Sequence, residues 1–116
     1  MKDEIKTILK IVGDNAYAYR EDAVGNKFWY LISISNPLYK IDGWWYFDEY
    51  LHREDGPACI YVNGFKWWFL NGKRHRINGP AIKGPNGYKE WYYHNTKIDC
   101  STQKEFERLL RLKAFW

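Results

Sequence analysis

His52-Arg53-Glu54-Asp55-Gly56-Pro57-Ala58 returns 23 residues later as His75-Arg76-Ile77-Asn78-Gly79-Pro80-Ala81, and this recurrence decides the fold class. The match extends outward on both sides. Trp45 falls on Trp68, Asn63-Gly64 on Asn86-Gly87 and Lys66 on Lys89, giving nine identities over the 22 positions from 45 to 66 with no gap. A third unit opens with Trp91-Tyr92-Tyr93 and fades after Asn95. Repetition at this period marks an array of small supersecondary units.

Turn chemistry says what each unit is. Asn63-Gly64 stands between Cys59-Ile60-Tyr61-Val62 and Phe65-Lys66-Trp67-Trp68, and Asn71-Gly72 and Asn86-Gly87 repeat the pattern. Asn-Gly between β-formers is a strong hairpin signal, because a type I′ turn needs positive φ at both central residues. Pro57 and Pro80 lack an N–H and suit a strand start or an edge. The expected fold is mainly β: an antiparallel meander of β-hairpin repeats, with the sheet left open, closed or shared between chains.

The flanks differ. Lys27–Ser35 reads as a strand ended by Asn36-Pro37, and Tyr39–Trp45 as another broken at Asp42-Gly43. Tyr19-Arg20-Glu21-Asp22 and Lys27-Phe28-Trp29-Tyr30 echo His52-Arg53-Glu54-Asp55 and Lys66-Trp67-Trp68-Phe69, as a degenerate capping unit would. Residues 101–113 carry a helix signature. Thr102 caps, Glu105 closes a capping box, and Phe106, Leu109 and Leu110 share one face. Ile5, Ile8, Leu9 and Val12 also fit helical spacing; a short N-terminal helix is favoured, with a strand over Ile8–Val12 as the alternative. The organisation is one domain, 1–116: a cap and degenerate strands over 1–43, repeats over 44–99, and the terminal helix.

Composition narrows the function classes. Seven Trp, ten Tyr and six Phe supply bulk that can fill a core between short strands. The net charge of +4 is compatible with an anionic ligand without requiring one. The two cysteines, Cys59 and Cys100, form no CxxC pair. No signal peptide and no apolar run of membrane-spanning length is read, so a reducing, cytoplasmic location is expected.

The run Leu51 to Ala58, followed by Asn63-Gly64, Trp68, Asn71-Gly72-Lys73, His75-Arg76 and Gly79-Pro80-Ala81, resembles the W-Y-x-N-G-K-x-H-R-x-D-G-P-A repeats in small proteins of large tailed phages and giant viruses. These are loosely akin to MORN-type β-hairpin repeats. Lys97-Ile98-Asp99, Gln103 to Glu107 and Leu112 to Phe115 are similar to how such phage proteins end. The resemblance covers roughly Trp44 to Trp116. It implies an accessory protein that binds and modulates a host protein. Asn78 departs from the pattern where Asp is usual, Glu49 replaces the turn Gly, and Ile98 stands in the His position.

Candidate contact residues follow. His52, Arg53, His75 and Arg76 recur in register and are natural anion donors. Their recurrence in every full unit favours a scaffold role, each His bonding nearby backbone and each Arg pairing two positions on. Function is then expected where the units differ. If Trp45, Trp68 and Trp91 point inward, Trp44, Trp67, Tyr46 and Phe69 point outward as a stacking platform or protein interface, or else form a second core layer. Lys73-Arg74-His75-Arg76 is the densest basic run. Binding to a host protein through Trp44, Trp67 and Phe69 is the leading expectation. The alternative is a sponge for a small anionic ligand such as a cyclic nucleotide, held by Arg53, Arg76, His52, His75 and Trp67. A homo-oligomer is compatible with both. No catalytic residues, cofactor or metal are expected, since no nucleophile, base and orienting group share a spacing that would bring them together.

Overall fold

The computed structural model describes residues 5–35 and 37–112. Asn36, Lys113 and Phe115, which the sequence reading uses, lie outside them. The strands are β1 (Thr7–Val12), β2 (Asn15–Glu21), β3 (Lys27–Ser33), β4 (Tyr39–Ile41), β5 (Trp44–Tyr46), β6 (Asp48–Leu51), β7 (Cys59–Ile60), β8 (Lys66–Trp67), β9 (Phe69–Leu70), β10 (Lys73–Arg74), β11 (Ile82–Lys83), β12 (Lys89–Tyr93) and β13 (Thr96–Ile98). One helix follows, α1 (Gln103–Leu112). The main sheet runs β1-β2-β3-β7-β8-β11-β12-β13, with β6 also paired to β3. All pairings are antiparallel, and the sheet is an open meander. The Cα radius of gyration is 16.3 Å. A compact globule of this length would have about 13 Å, so the sheet is long for its mass. Its core is accordingly divided into small clusters: Ala16, Ala18 and Ile32; Ala81, Ile82 and Tyr92; Trp91, Ile98 and Phe106.

The repeat is visible as hydrogen bonding. Trp68 N donates to Ala81 O at 2.8 Å and His75 N to Trp68 O at 3.2 Å. In the preceding unit the same bonds run from Trp29 N to Ala58 O, 2.8 Å, and from His52 N to Trp29 O, 3.0 Å. The spatial partner of Trp68 is therefore Trp29 and not Trp45. Phe28 pairs Cys59 as Trp67 pairs Ile82, and Tyr30 pairs Leu51 as Phe69 pairs Arg74. The echo of Lys27–Tyr30 in Lys66–Phe69 is thus a structural register.

The second unit turns tightly from β9 to β10 through Asn71-Gly72, both at positive φ (50° and 78°). The first unit instead carries a long excursion between Tyr30 and Leu51. β3 and β6 extend the pairing to Ser33 opposite Asp48, and a separate hairpin, β4–β5, caps it. Trp45 sits on that hairpin and is 55% exposed, so the expectation that it joins the core is overturned. Its sequence match to Trp68 is broken in space by the residues inserted ahead of it.

Two further expectations are corrected. The N-terminal segment is a strand, β1, and not a helix. Val12 pairs Asn15 across a two-residue loop in which Gly13 takes φ 59°, and β-branched Thr7, Ile8, Ile11 and Val12 suit the pleat. At Asn63-Gly64 only Gly64 has positive φ. The turn spans four residues, with Gly64 N bonded to Tyr61 O and Tyr61 N to Phe65 O, while the Asn63 side chain accepts from Phe65 N at 3.1 Å. An Asx turn replaces the two-residue type I′ turn there.

The C-terminal helix matches its signature. Glu105 N donates to Thr102 Oγ1 at 3.2 Å, and Glu105 Oε1 accepts from Ser101 N at 3.1 Å. Phe106 is fully buried against Trp91 and Ile98. The helix thus packs beside the three-residue β13 at one end of the sheet. Strand β1, six residues long and exposed throughout, forms the other.

Candidate functional site

The repeated Arg residues are held in a sandwich. Arg53 lies over the Trp29 ring with Cζ 3.8 Å from its centroid, and Arg76 over Trp68 at 3.9 Å. Each guanidinium also donates through Nη1 to a backbone carbonyl four residues on, Pro57 O or Pro80 O, both at 3.1 Å. The other side is closed by glycine. A Cβ on Gly56 would lie 3.0 Å from Arg53 Cζ, and one on Gly79 2.7 Å from Arg76 Cζ. Arg-x-x-Gly-Pro is therefore the sequence of a Trp–guanidinium–glycine stack. In the third unit no Arg is present and α1 does the covering, with Trp91 Nε1 donating to Gln103 Oε1 at 2.8 Å.

The repeated His residues join one unit to the next. His52 and His75 are buried. His52 Nδ1 accepts from Asn71 N, and His75 Nδ1 from His94 N, both at 2.9 Å. Asn71 and His94 each open the tight turn of the following unit. His52 Nε2 meets Glu54 Oε2 at 2.9 Å, and this bond is the main reason the Glu54 carboxyl is held below its ordinary range. Burial, reinforced by the His94 ring stacked at 4.1 Å, lowers the pKa of His75 and keeps it neutral.

Two shallow clefts flank the Arg stacks. One, about 480 Å³, is lined by Lys10, Tyr17, Trp29, His52, Arg53 and Glu54, among others. Its charges offset one another: Lys10 and Arg53 stand against Glu54 and Asp55, and Arg53 Nε bonds Asp55 Oδ1 at 3.1 Å. The other, about 340 Å³, is lined by Arg76, Asn78, Lys83, Lys89, Trp91 and the start of α1. Here Asn78 replaces the carboxylate, and among the described residues Arg76 has no ion pair. The first cleft is charge-balanced and the second is cationic.

Hairpin β4–β5 and the residue before it expose a group of large apolar side chains. Leu38 is 60% exposed, Tyr39 52%, Ile41 52%, Trp44 72%, Trp45 55% and Tyr46 40%. Asp42 and Gly43, both at positive φ, make its turn. Tyr39 stacks on Tyr46 at 5.1 Å, and Lys40 Nζ lies 5.0 Å from the Trp45 centroid, so the tip is preorganised.

The remaining candidates are dispersed. Trp44 is outward, but Trp67 lies in the main sheet, half-buried and stacked on Phe69 at 6.1 Å. These three do not make one platform. The run Lys73–Arg76 divides as well. Lys73 is exposed, Arg74 covers Tyr92 and bonds Asn95, His75 is buried, and Arg76 turns to Trp68. The residues missed were Leu38, Tyr39, Ile41 and Trp45. Their signal was Asp42-Gly43 between β-formers, a hairpin signature as strong as Asn-Gly. Cys59 is buried and its thiol is pushed up to about 11 by desolvation. Among the described residues no group of His, Cys, Asp and Glu could hold a metal ion, and no helix is long and apolar enough to cross a membrane.

No protein-family model, curated protein or solved structure matches the chain.

Proposed function

We propose that the protein acts by binding another protein, with hairpin β4–β5 as the contact. The observation that carries this reading is the hairpin itself: six large apolar side chains, each 40% exposed or more, on a tip fixed by its own stacking. Isolated exposed apolar residues are ordinary, whereas several on one hairpin, Tyr39, Ile41, Trp44 and Tyr46 on one face and Trp45 on the other, favour an interaction site. Aromatics are the side chains that most often dominate such contacts. Lys40 at the tip suits a partner with an apolar groove edged by carboxylates. The repeat type the chain resembles adds a context, a phage or viral accessory protein acting on a host protein in the cytoplasm. Binding rather than catalysis is favoured because Cys59 is protonated and buried and the two full-unit histidines are engaged with backbone amides.

The test is capture from host extract followed by reconstitution with the purified partner. Trp44→Ser with Trp45→Ser should weaken a saturable complex by about a hundredfold, as loss of two hot-spot residues would, without changing thermal stability. A complex that keeps its affinity in this variant sinks the proposal. So does finding that the hairpin only joins copies of this chain, seen as a dimer that the double variant abolishes.

A second reading, a small anionic ligand such as a nucleotide, is favoured by the cleft at Arg76. Native mass spectrometry and a thermal-shift panel of nucleotides test it, and indifference to all of them ends it.

A further inference from the structure

Four lysines stand in one row across the main sheet. Lys83 is directly opposite Lys66 on β8 and directly opposite Lys89 on β12. The row continues through Ile60, which pairs Lys66 on one side and Lys27 on the other, and it ends on β2 at Glu21, directly opposite Lys27. Directly paired residues share a face, so Lys27, Lys66, Lys83 and Lys89 project together. All four are exposed. The next row, Phe28, Cys59, Trp67 and Ile82, is half-buried or buried on the opposite face.

This arrangement opposes folding. Like charges directly across an antiparallel pair destabilise it, and Lys83 meets one on each side, Lys66 and Lys89. Among the described residues none of the four is in an ion pair. The neighbouring features add to the charge. Lys83 and Lys89 form one wall of the cleft that holds Arg76, where Asn78 supplies no carboxylate. Neighbouring strands are about 4.8 Å apart, so the row spans about 19 Å from Lys27 to Lys89. Lys66, Lys83 and Lys89 are thus about 4.8 Å apart, close enough to meet successive phosphates of one strand, with Lys27 two strands farther on beside Glu21.

We propose that this row binds the phosphodiester backbone of a nucleic acid, as a surface separate from the β4–β5 hairpin. The aromatics on the lysine face are already covered, Trp29 and Trp68 by guanidinium groups and Trp91 by α1. Bases therefore have no stacking platform there, and recognition is through phosphates, independent of base sequence. Such binding is driven by counterion release and weakens steeply with salt. The sheet thereby presents one face and one tip to two different partners.

Fluorescence anisotropy of the whole chain with a labelled single strand and the matching duplex, from about 50 to about 200 mM salt, tests this. Wild type should bind at the low end. The variant Lys66→Gln, Lys83→Gln, Lys89→Gln should bind at least about tenfold more weakly, with a salt slope reduced by about 2 to 3. It should melt no lower than wild type, because the like-charge opposition is relieved. A control that removes the same charge from the helix, Lys104→Gln, Arg108→Gln, Arg111→Gln, should change affinity far less. The tighter of the two probes identifies the natural form, strand or duplex. No wild-type binding at low salt, an equal loss in the helix control, or a lower melting temperature in the lysine variant overturns the proposal. Equal displacement by polyglutamate of matching charge also overturns it, since an acidic protein would then serve as well.

Discussion

The first and second units build the same Trp–guanidinium–glycine stack and then spend their differences elsewhere. In the first, Arg53 is neutralised by Asp55, and the connection from β3 to β6 grows into the aromatic hairpin. In the second, Asn78 leaves Arg76 without a carboxylate, and the corresponding connection is the two-residue turn at Asn71-Gly72. What the units share holds the sheet together. What they do not share is exposed and chemically distinctive: an apolar tip from one, a cationic cleft from the other.

The comparison can be pressed hardest where the third unit closes the array. Phe106→Ala removes the one large side chain of α1 that is completely buried, and should cost about 3 to 5 kcal/mol. A urea titration checks it. A loss below about 1 kcal/mol would mean the helix is not what covers Trp91. Gly79→Ala should cost more than Gly56→Ala, because its methyl would lie closer to the guanidinium. Expelling Arg76 forfeits a stacked cation and a carbonyl bond, about 1 to 3 kcal/mol together. Arg76→Ala should cost a similar amount, and the double variant little more, which a double-mutant cycle would show.

Acidity probes the His links. Burial depresses the pKa of native His75, so between that value and the unfolded value near 6.5 the unfolded chain binds the extra proton. The stability due to neutral His75 is therefore complete above about pH 6.5 and declines as pH falls through the native pKa. Urea midpoints measured downward from neutral pH should fall, and His75→Gln should flatten that dependence. The smallest effect belongs to the exchange Asn78→Asp. An exposed ion pair with Arg76 should add about 0 to 1 kcal/mol, and Asp55→Asn should remove a similar amount, both by thermal melting.

Much of this was legible in the chain. The period, the hairpin turns at Asn71-Gly72 and Asn86-Gly87, and the capping box at Thr102 and Glu105 are local chemistry, which sequence states directly. The scaffold role of His52 and His75 followed from recurrence alone. Trp45 was misplaced because identity at a fixed offset cannot see that Trp29 already fills the slot. The N-terminal strand was misread because the spacing of Ile5, Ile8, Leu9 and Val12 fits a helix, while strand β2 beside it is a tertiary fact. Lys66 and Lys89 were visible as a repeated pair, but only strand register put Lys83 between them.

The slot held by His52 and His75 works as punctuation. A histidine there commits the chain to another turn, because its ring waits for the amide of Asn71 or His94. Ile98 occupies the same place in the last unit, asks for no amide, and is covered by α1. Splicing one more 23-residue segment between the second and third units would then lengthen the sheet by two strands, about 10 Å, and leave both ends as they are.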